Sequence, residues 1–155
     1  MSIHKEISFE TEICEYLAKH DWFYADDDGA NYDRARALFS ADVLAWVQAT
    51  QPKAWELLVK NHGDQAGETL FARLRDQLDQ RGTLDVLRHG IELLGLKQPL
   101  KLAEFKPALA INPDILARYA ANRLRVVRQV RYSLHNENSI DIVLFLNGLP
   151  VATVE

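Results

Sequence analysis

The stretch SIDIVLFLNGLPVATVE, residues 139–155, decides how the chain ends. Residues 140–146 are apolar except for Asp141, and such a run is typical of a strand that is covered on both faces. The dipeptide Asn147-Gly148 is a strong signal for a two-residue hairpin turn. Residues 150–155 then form the returning strand, either at a sheet edge or starting on its proline. We therefore predict an antiparallel hairpin that carries one acid on each arm.

The two acids of this hairpin, Asp141 and Glu155, are the first candidates for a site. A simple hairpin places Asp141 opposite Val154, one step from Glu155, so a bulge or splayed strands must absorb the offset. A carboxylate inside an apolar strand is costly unless it is paired or binds a metal. Mg²⁺ prefers a few carboxylate oxygens together with water and phosphate oxygens. The pair thus predicts a Mg²⁺ site, with a cap or an arginine pair as the alternative for each acid.

The residues before the hairpin predict a third strand and a helical block. The strand from Leu124 to Tyr132 alternates, with Leu124, Val126, Val130 and Tyr132 on one face and Arg128 interrupting it. Upstream we expect one helix from Ser8 to His20 and another over 32–39. Further helices are expected to begin at Ser40, Pro52, Thr83 and Pro113, the last with Asn112 as its cap, and one more is expected to end at Gly82. The run Asp26-Asp27-Asp28-Gly29 predicts a solvated turn. We expect one domain over 1–155, mainly helical over 1–90, with a helix and three strands over 112–155.

The composition points to a globular cytoplasmic protein. The chain has 155 residues and a net charge of −4, and its polar, acidic start lacks the features of a secretory signal. No apolar run is long enough to cross a membrane. Cys14 is the only cysteine, which excludes an internal disulfide and a cysteine-cluster metal site. Charge is uneven, since residues 1–30 hold eight acids and two lysines whereas 118–131 hold five arginines and no acid.

The sequence motifs around the two acids resemble those of a known family. A strand with aspartate, an N-G-x-P turn and a strand ending in glutamate are similar to the nuclease core of type I restriction enzyme R subunits. Further motifs similar to those of the family occur upstream, in the same order as in the family: Phe9-Glu10, Gln51-Pro52-x-x-Trp55, Gly82-Thr83-Leu84, Phe105-Lys106-Pro107-Ala108, Tyr119-x-x-Asn122-Arg123-Leu124 and Arg128-Gln129-Val130-Arg131. The resemblance extends over nearly all of the chain.

This resemblance implies an α/β (α+β) fold of the PD-(D/E)xK nucleases and cleavage of double-stranded DNA with Mg²⁺ or Mn²⁺. Asp141 and Glu155 would be the catalytic, metal-binding acids. Glu10 matches a first-helix glutamate near the metal in related nucleases, and a helix-terminal acid is its alternative. Four residues are candidates for DNA contacts, with a solvated or structural role as the alternative: Arg123, Arg125, Arg131 and Gln129.

The family pattern also places a lysine two residues after the glutamate, which lies beyond Glu155. The resemblance therefore implies a fragment of a longer subunit that is inactive alone. In the family, ATP is used by separate motor domains that move DNA, and methyltransferase and specificity subunits complete the complex. The alternative function is a non-catalytic module that docks other subunits, which the large helical block favours.

Overall fold

The chain runs through six α-helices before it enters a three-stranded sheet, within residues 2–155 that the computed structural model describes. The helices are α1 (Ile3–Ala18), α2 (Ser40–Thr50), α3 (Pro52–His62), α4 (Ala66–Arg81), α5 (Thr83–His89) and α6 (Pro113–Ala120). The strands are β1 (Leu124–Arg131), β2 (Ser139–Leu146) and β3 (Leu149–Val154). This order confirms the predicted α+β class, a helical N-terminal part followed by an antiparallel β-meander.

The chain divides into two compact units. The first, here called the sheet unit, combines Met1–Ser40 with Arg123–Glu155 and therefore contains α1 and the sheet. The second, here called the helical unit, is the continuous segment Ala41–Asn122. All three predicted carboxylates and all four predicted DNA contacts belong to the sheet unit.

The helical unit is built from amphipathic helices with the predicted start and stop signals. Pro52 occupies the first turn of α3, and Gly82 ends α4 at a φ of 83° that suits a residue without a Cβ. The Asn112 side chain caps α6, because its Oδ1 accepts from the Asp114 amide at 2.9 Å. The core includes Leu74 and Trp46, and the Trp46 indole donates to the carbonyl of Lys101 at 2.9 Å.

Two predicted helices differ from the observed ones. α1 begins at Ile3 instead of Ser8, because serine costs little inside a helix and the Glu6 carboxylate already suits the first turn. The segment 32–39 is not helical: Asp33 bridges Leu38, and the Asp33 carboxylate accepts from the Arg36 amide at 3.0 Å. Ala37 has a φ of 56°, which a continuing right-handed helix does not allow.

The sheet has the order β1-β2-β3, so β2 is central, as its apolar run predicts. One face of the sheet packs in a cluster of Phe39, Val127, Val130, Val143 and Phe145. The other face packs under α1 in a cluster of Cys14, Val126 and Ile142. β2 is therefore covered on both faces, and Cys14 is fully buried in the second of these clusters. The turn between β2 and β3 has φ values of 49° at Asn147 and 85° at Gly148, as expected for a turn with two left-handed residues.

The predicted alternation of β1 is wrong after Arg128. Val126 packs under α1, whereas Val130 packs on the opposite face beside Val127. The cause is Gln129, whose φ of 50° lies in the left-handed region and turns the following residues over. The β1–β2 pairing keeps its register, with Arg128 opposite Ile142 and Val130 opposite Ile140. The alternation of side chains between the two sheet faces is therefore reversed at Gln129, although no extra residue is inserted into β1.

None of the helices within residues 2–155 has the length and apolarity that a membrane crossing requires.

Candidate metal and DNA site

A β-bulge sets the positions of the two hairpin acids. Near the turn Phe145 pairs with Pro150, but the next pair is Leu144 with Ala152, so Val151 is an extra residue on β3. Beyond this bulge Ile142 pairs with Val154. One step further in the same register, Asp141 lies opposite Glu155. The register that the sequence left open is thus resolved by a bulge, which removes the one-step offset of a simple hairpin.

The three predicted carboxylates line one cavity of about 210 Å³ between α1 and the ends of β2 and β3. Glu6, Phe9, Glu10 and Ile13 contribute from α1, and Asp141, Ile142, Val154 and Glu155 contribute from the strands. Asp141 and the adjacent Ile142 both line it, which follows from the reset of side-chain alternation opposite Gln129. The fold therefore brings together Glu10, Asp141 and Glu155, although Glu10 is more than a hundred residues away in sequence.

Glu10 is the most enclosed of the three carboxylates. Its residue is 9% exposed, and its Oε2 accepts from Arg128 Nη2 at 3.1 Å and from Arg128 Nε at 3.3 Å. Burial alone lowers the pKa of Arg128, but hydrogen bonds and charge from Tyr24 and Glu10 outweigh it, and the pKa is raised. Arg128 therefore remains a cation and compensates the charge of Glu10. The sequence signal for this role is the position of Arg128 on an otherwise apolar face of its strand.

Gln129 connects Glu10 to Asp141. Its Nε2 lies 3.3 Å from both carboxylate oxygens of Glu10 and 3.4 Å from Oδ1 of Asp141. Its Oε1 accepts from the Ser139 hydroxyl at 2.8 Å. The predicted DNA-contact residue Gln129 thus has its amide directed at carboxylates.

The donor set at this cavity fits a magnesium-type ion. Within residues 2–155, no three His, Cys, Asp or Glu side chains converge as a ligand set. Glu10 is bound by Arg128 and Gln129, and the strands contribute the carboxylates of Asp141 and Glu155 to the same cavity. Mg²⁺ is commonly held by one or two carboxylates with water and phosphate oxygens in the remaining positions. Metal binding by Asp141, Glu155 and Glu10 stays a prediction.

The predicted arginines have different surroundings. The side chain of Arg125 is 12% exposed, and its guanidinium pairs with Asp28 at 2.7 Å and lies 4.5 Å from the ring centre of Phe39. Arg123 lies over the Phe23 ring at 4.4 Å. Arg131 is 60% exposed and pairs with the exposed Glu137. Of these three side chains, Arg131 offers the most accessible charge, whereas Arg125 is part of the interior.

The prediction of a solvated turn at residues 26–29 is wrong for Asp28. Asp28 is not solvated: it is 6% exposed and its carboxylate accepts from Arg125. Gly29 follows because the chain runs against β1 at this point, where a Cβ would lie 3.2 Å from the carbonyl oxygen of Arg128. The available signal is the coincidence of an acid run in one part of the sequence with an arginine-rich strand in another.

Helices followed by three antiparallel strands, with carboxylates on adjacent strands, are consistent with an α+β nuclease-like fold. Residues 6–155 match the family model described as type I restriction enzyme R protein N terminus, and the chain belongs to this family. The family is that of type I restriction endonuclease subunits, which are hydrolases, and it implies a multisubunit complex with a DNA substrate. No curated protein and no solved structure matches the chain.

Proposed function

We propose that this chain is the endonuclease domain of a type I restriction R subunit and that, as part of the complete subunit, it cleaves double-stranded DNA with Mg²⁺ or Mn²⁺. The observation that carries the proposal is the bulge at Val151, because it aligns Asp141 with Glu155 at the mouth of a shared cavity. When bound, the ion supplies Lewis-acid activation of the phosphate and of the attacking water. Asp141 and Glu155 hold the ion, and the Glu10 carboxylate keeps Arg128 and Gln129 in place behind them.

The DNA backbone approaches the same end of the sheet in this proposal. Arg131 is the strongest of the predicted phosphate contacts, because its guanidinium is exposed and its partner Glu137 is a surface residue that a phosphate can replace. Arg123 and Gln129 contribute less, since each has partners within the chain. A separate specificity subunit selects the DNA, a methyltransferase subunit completes the complex, and ATP-driven motor domains move the DNA before cleavage.

Metal binding by the chain is the first test. We expect titration calorimetry with Mn²⁺ to detect one site, and Asp141→Asn or Glu155→Gln to weaken it by at least about tenfold, since even residues behind the ligands commonly cost that much. Asp79→Asn is the control, because Asp79 is an exposed acid of the helical unit. Unchanged affinity in both site variants would contradict the proposed ligands.

Cleavage is tested in the complete R subunit assembled with its partner subunits. We expect Asp141→Asn and Glu155→Gln to abolish double-strand cleavage of plasmid DNA while ATP hydrolysis continues. Asp79→Asn should leave both activities unchanged. Plasmid cleavage by the Asp141→Asn complex at the unsubstituted rate would remove the nuclease assignment from this site.

A non-catalytic docking module is the second candidate. The helical unit exposes large apolar side chains before α6, with Leu109 69% exposed and Ile111 78% exposed, and exposed apolar surface often marks a protein contact. A folded chain that gives no heat with Mn²⁺, and an assembly that fails in a Leu109→Ser, Ile111→Ser variant, would favour this function. Retention of full assembly in that variant would argue against it.

A further inference from the structure

Gln129 has a backbone conformation that its residue type rarely adopts. Its φ of 50° lies in the left-handed region, although its neighbours Arg128 and Val130 both pair regularly with β2. A non-glycine residue is disfavoured there because its Cβ crowds the following carbonyl. The surroundings hold this conformation in place, since Gly29 lies against the Arg128 and Gln129 carbonyls. A strained residue that the fold supports in this way is a candidate for a functional role.

The left-handed conformation has a specific geometric result. It turns the Gln129 side chain to the α1 face, the face on which Arg128 also lies, so both residues reach the Glu10 carboxylate. With ordinary alternation, Gln129 would share the opposite face with Val127 and could not contact Glu10. Glycine would adopt this φ more easily but has no amide to donate.

The orientation of the Gln129 amide is set by a third residue. Ser139 can donate its hydroxyl to Oε1 at 2.8 Å, which leaves the two Nε2 hydrogens for the carboxylates of Glu10 and Asp141. The contact to Asp141 involves Oδ1 alone among its oxygens. A hydrogen bond to one carboxylate oxygen restricts the rotation of the whole Asp141 carboxylate, which lines the acidic cavity.

We propose that Gln129 is a positioning residue that fixes the Asp141 carboxylate for metal binding, using the buried Glu10 as its anchor. The inference rests on the proposed metal site and deepens it. Metal ligands are commonly oriented by such hydrogen-bonded partners, and removal of a partner costs affinity without removal of a ligand. In this assignment Gln129 acts through Asp141 and does not itself touch the ion.

The test compares affinity with stability. In Gln129→Gly the strained φ is relieved, so we expect the urea midpoint to stay the same or rise while Mn²⁺ affinity falls by about tenfold. Ala37→Gly is the matched control, because Ala37 also has a left-handed φ, of 56°, but does not line the acidic cavity. We expect Ala37→Gly to alter stability only.

A second variant keeps the test decisive if Gln129→Gly does not fold. Asparagine tolerates the left-handed region and retains an amide but is one methylene shorter, so Gln129→Asn should also lose about tenfold in Mn²⁺ affinity. If these variants bind Mn²⁺ as tightly as the unsubstituted chain does, the positioning role of Gln129 is wrong and the proposed metal site still stands. Absence of Mn²⁺ binding in the unsubstituted chain would overturn the metal site itself, and the role of Gln129 with it.

Discussion

Arg125 shows why single residues in this chain are difficult to assign from sequence. It belongs to an arginine-rich strand and was predicted to face solvent or DNA. In the fold its guanidinium is enclosed by Asp28 and by the rings of Phe23 and Phe39. The pairing depends on a loop almost a hundred residues earlier, so local alternation carries no information about it.

This enclosure makes a prediction at the residue scale. Arg125→Ala leaves the Asp28 carboxylate buried without its partner, and we expect a loss of about 3 kcal/mol in the free energy of unfolding. Arg131→Ala, which breaks an exposed pair, should cost less than about 1 kcal/mol. Urea denaturation of both variants measures the difference. Equal losses would mean that Arg125 is no more structural than Arg131.

The acids themselves were predictable to a different degree. Asp141 could be identified because a carboxylate within an apolar strand needs a partner, and the family resemblance assigned a matching role to Glu155. Gln129 could not be identified in the same way, because glutamine as a residue type gives no indication of a left-handed φ. The residues that surround this conformation, Gly29 against its carbonyl and Glu10 at its amide, come from distant parts of the sequence.

At the scale of elements, the strands were predicted almost to the residue and the bulge was not located. The Asn147-Gly148 turn and the apolar run define where β2 and β3 lie, because both are local signals. Val151 is an ordinary strand residue by type, so its role as the extra residue follows from pairing alone. The helix predicted over 32–39 is wrong for a related reason, because the Asp33 carboxylate accepts from the Arg36 amide and stabilises a turn in place of the helix.

Deletion of Val151 tests the bulge. The shortened β3 should pair as a simple hairpin in which residues 152–155 keep their partners on β2, so Glu155 stays opposite Asp141. We therefore expect the deletion variant to retain both its Mn²⁺ affinity and its far-ultraviolet circular dichroism. Val151→Ala keeps the bulge and should bind Mn²⁺ equally well. Loss of Mn²⁺ binding in the deletion variant alone would contradict the pairing of Asp141 with Glu155.

At the scale of the whole molecule, the two units separate the candidate chemistry from much of the hydrophobic core. The sheet unit contains Glu10, Gln129, Asp141 and Glu155, whereas the helical unit contains most of the helices. The sequence predicted one domain with helices first and strands last. It did not indicate that α1 joins the strands in one unit, because that association depends on contacts such as Arg128 with Glu10.

This division makes a prediction about independent responses. Leu74 is fully buried in α4, so Leu74→Ala should destabilise the helical unit by about 2–5 kcal/mol. Hydrogen exchange should then quicken over 41–122, while Mn²⁺ binding by the sheet unit is retained. Phe145→Ala, which removes a ring from the sheet core, should reduce both sheet protection and Mn²⁺ binding. Loss of Mn²⁺ binding in Leu74→Ala at temperatures where the sheet is protected would contradict this independence.

The long separation between α1 and its strands also has a consequence for synthesis on the ribosome. Glu10 is made 118 residues before Arg128, its partner. At about 5–20 residues per second, α1 waits roughly 6–24 s for β1 to emerge. During that interval the nascent chain completes the helical unit, which is continuous in sequence, while the apolar side of α1 has no strand to cover it. The acidic cavity is therefore assembled only after the helical unit has been made, when translation of the hairpin delivers Asp141 and Glu155 to a glutamate made more than a hundred residues earlier.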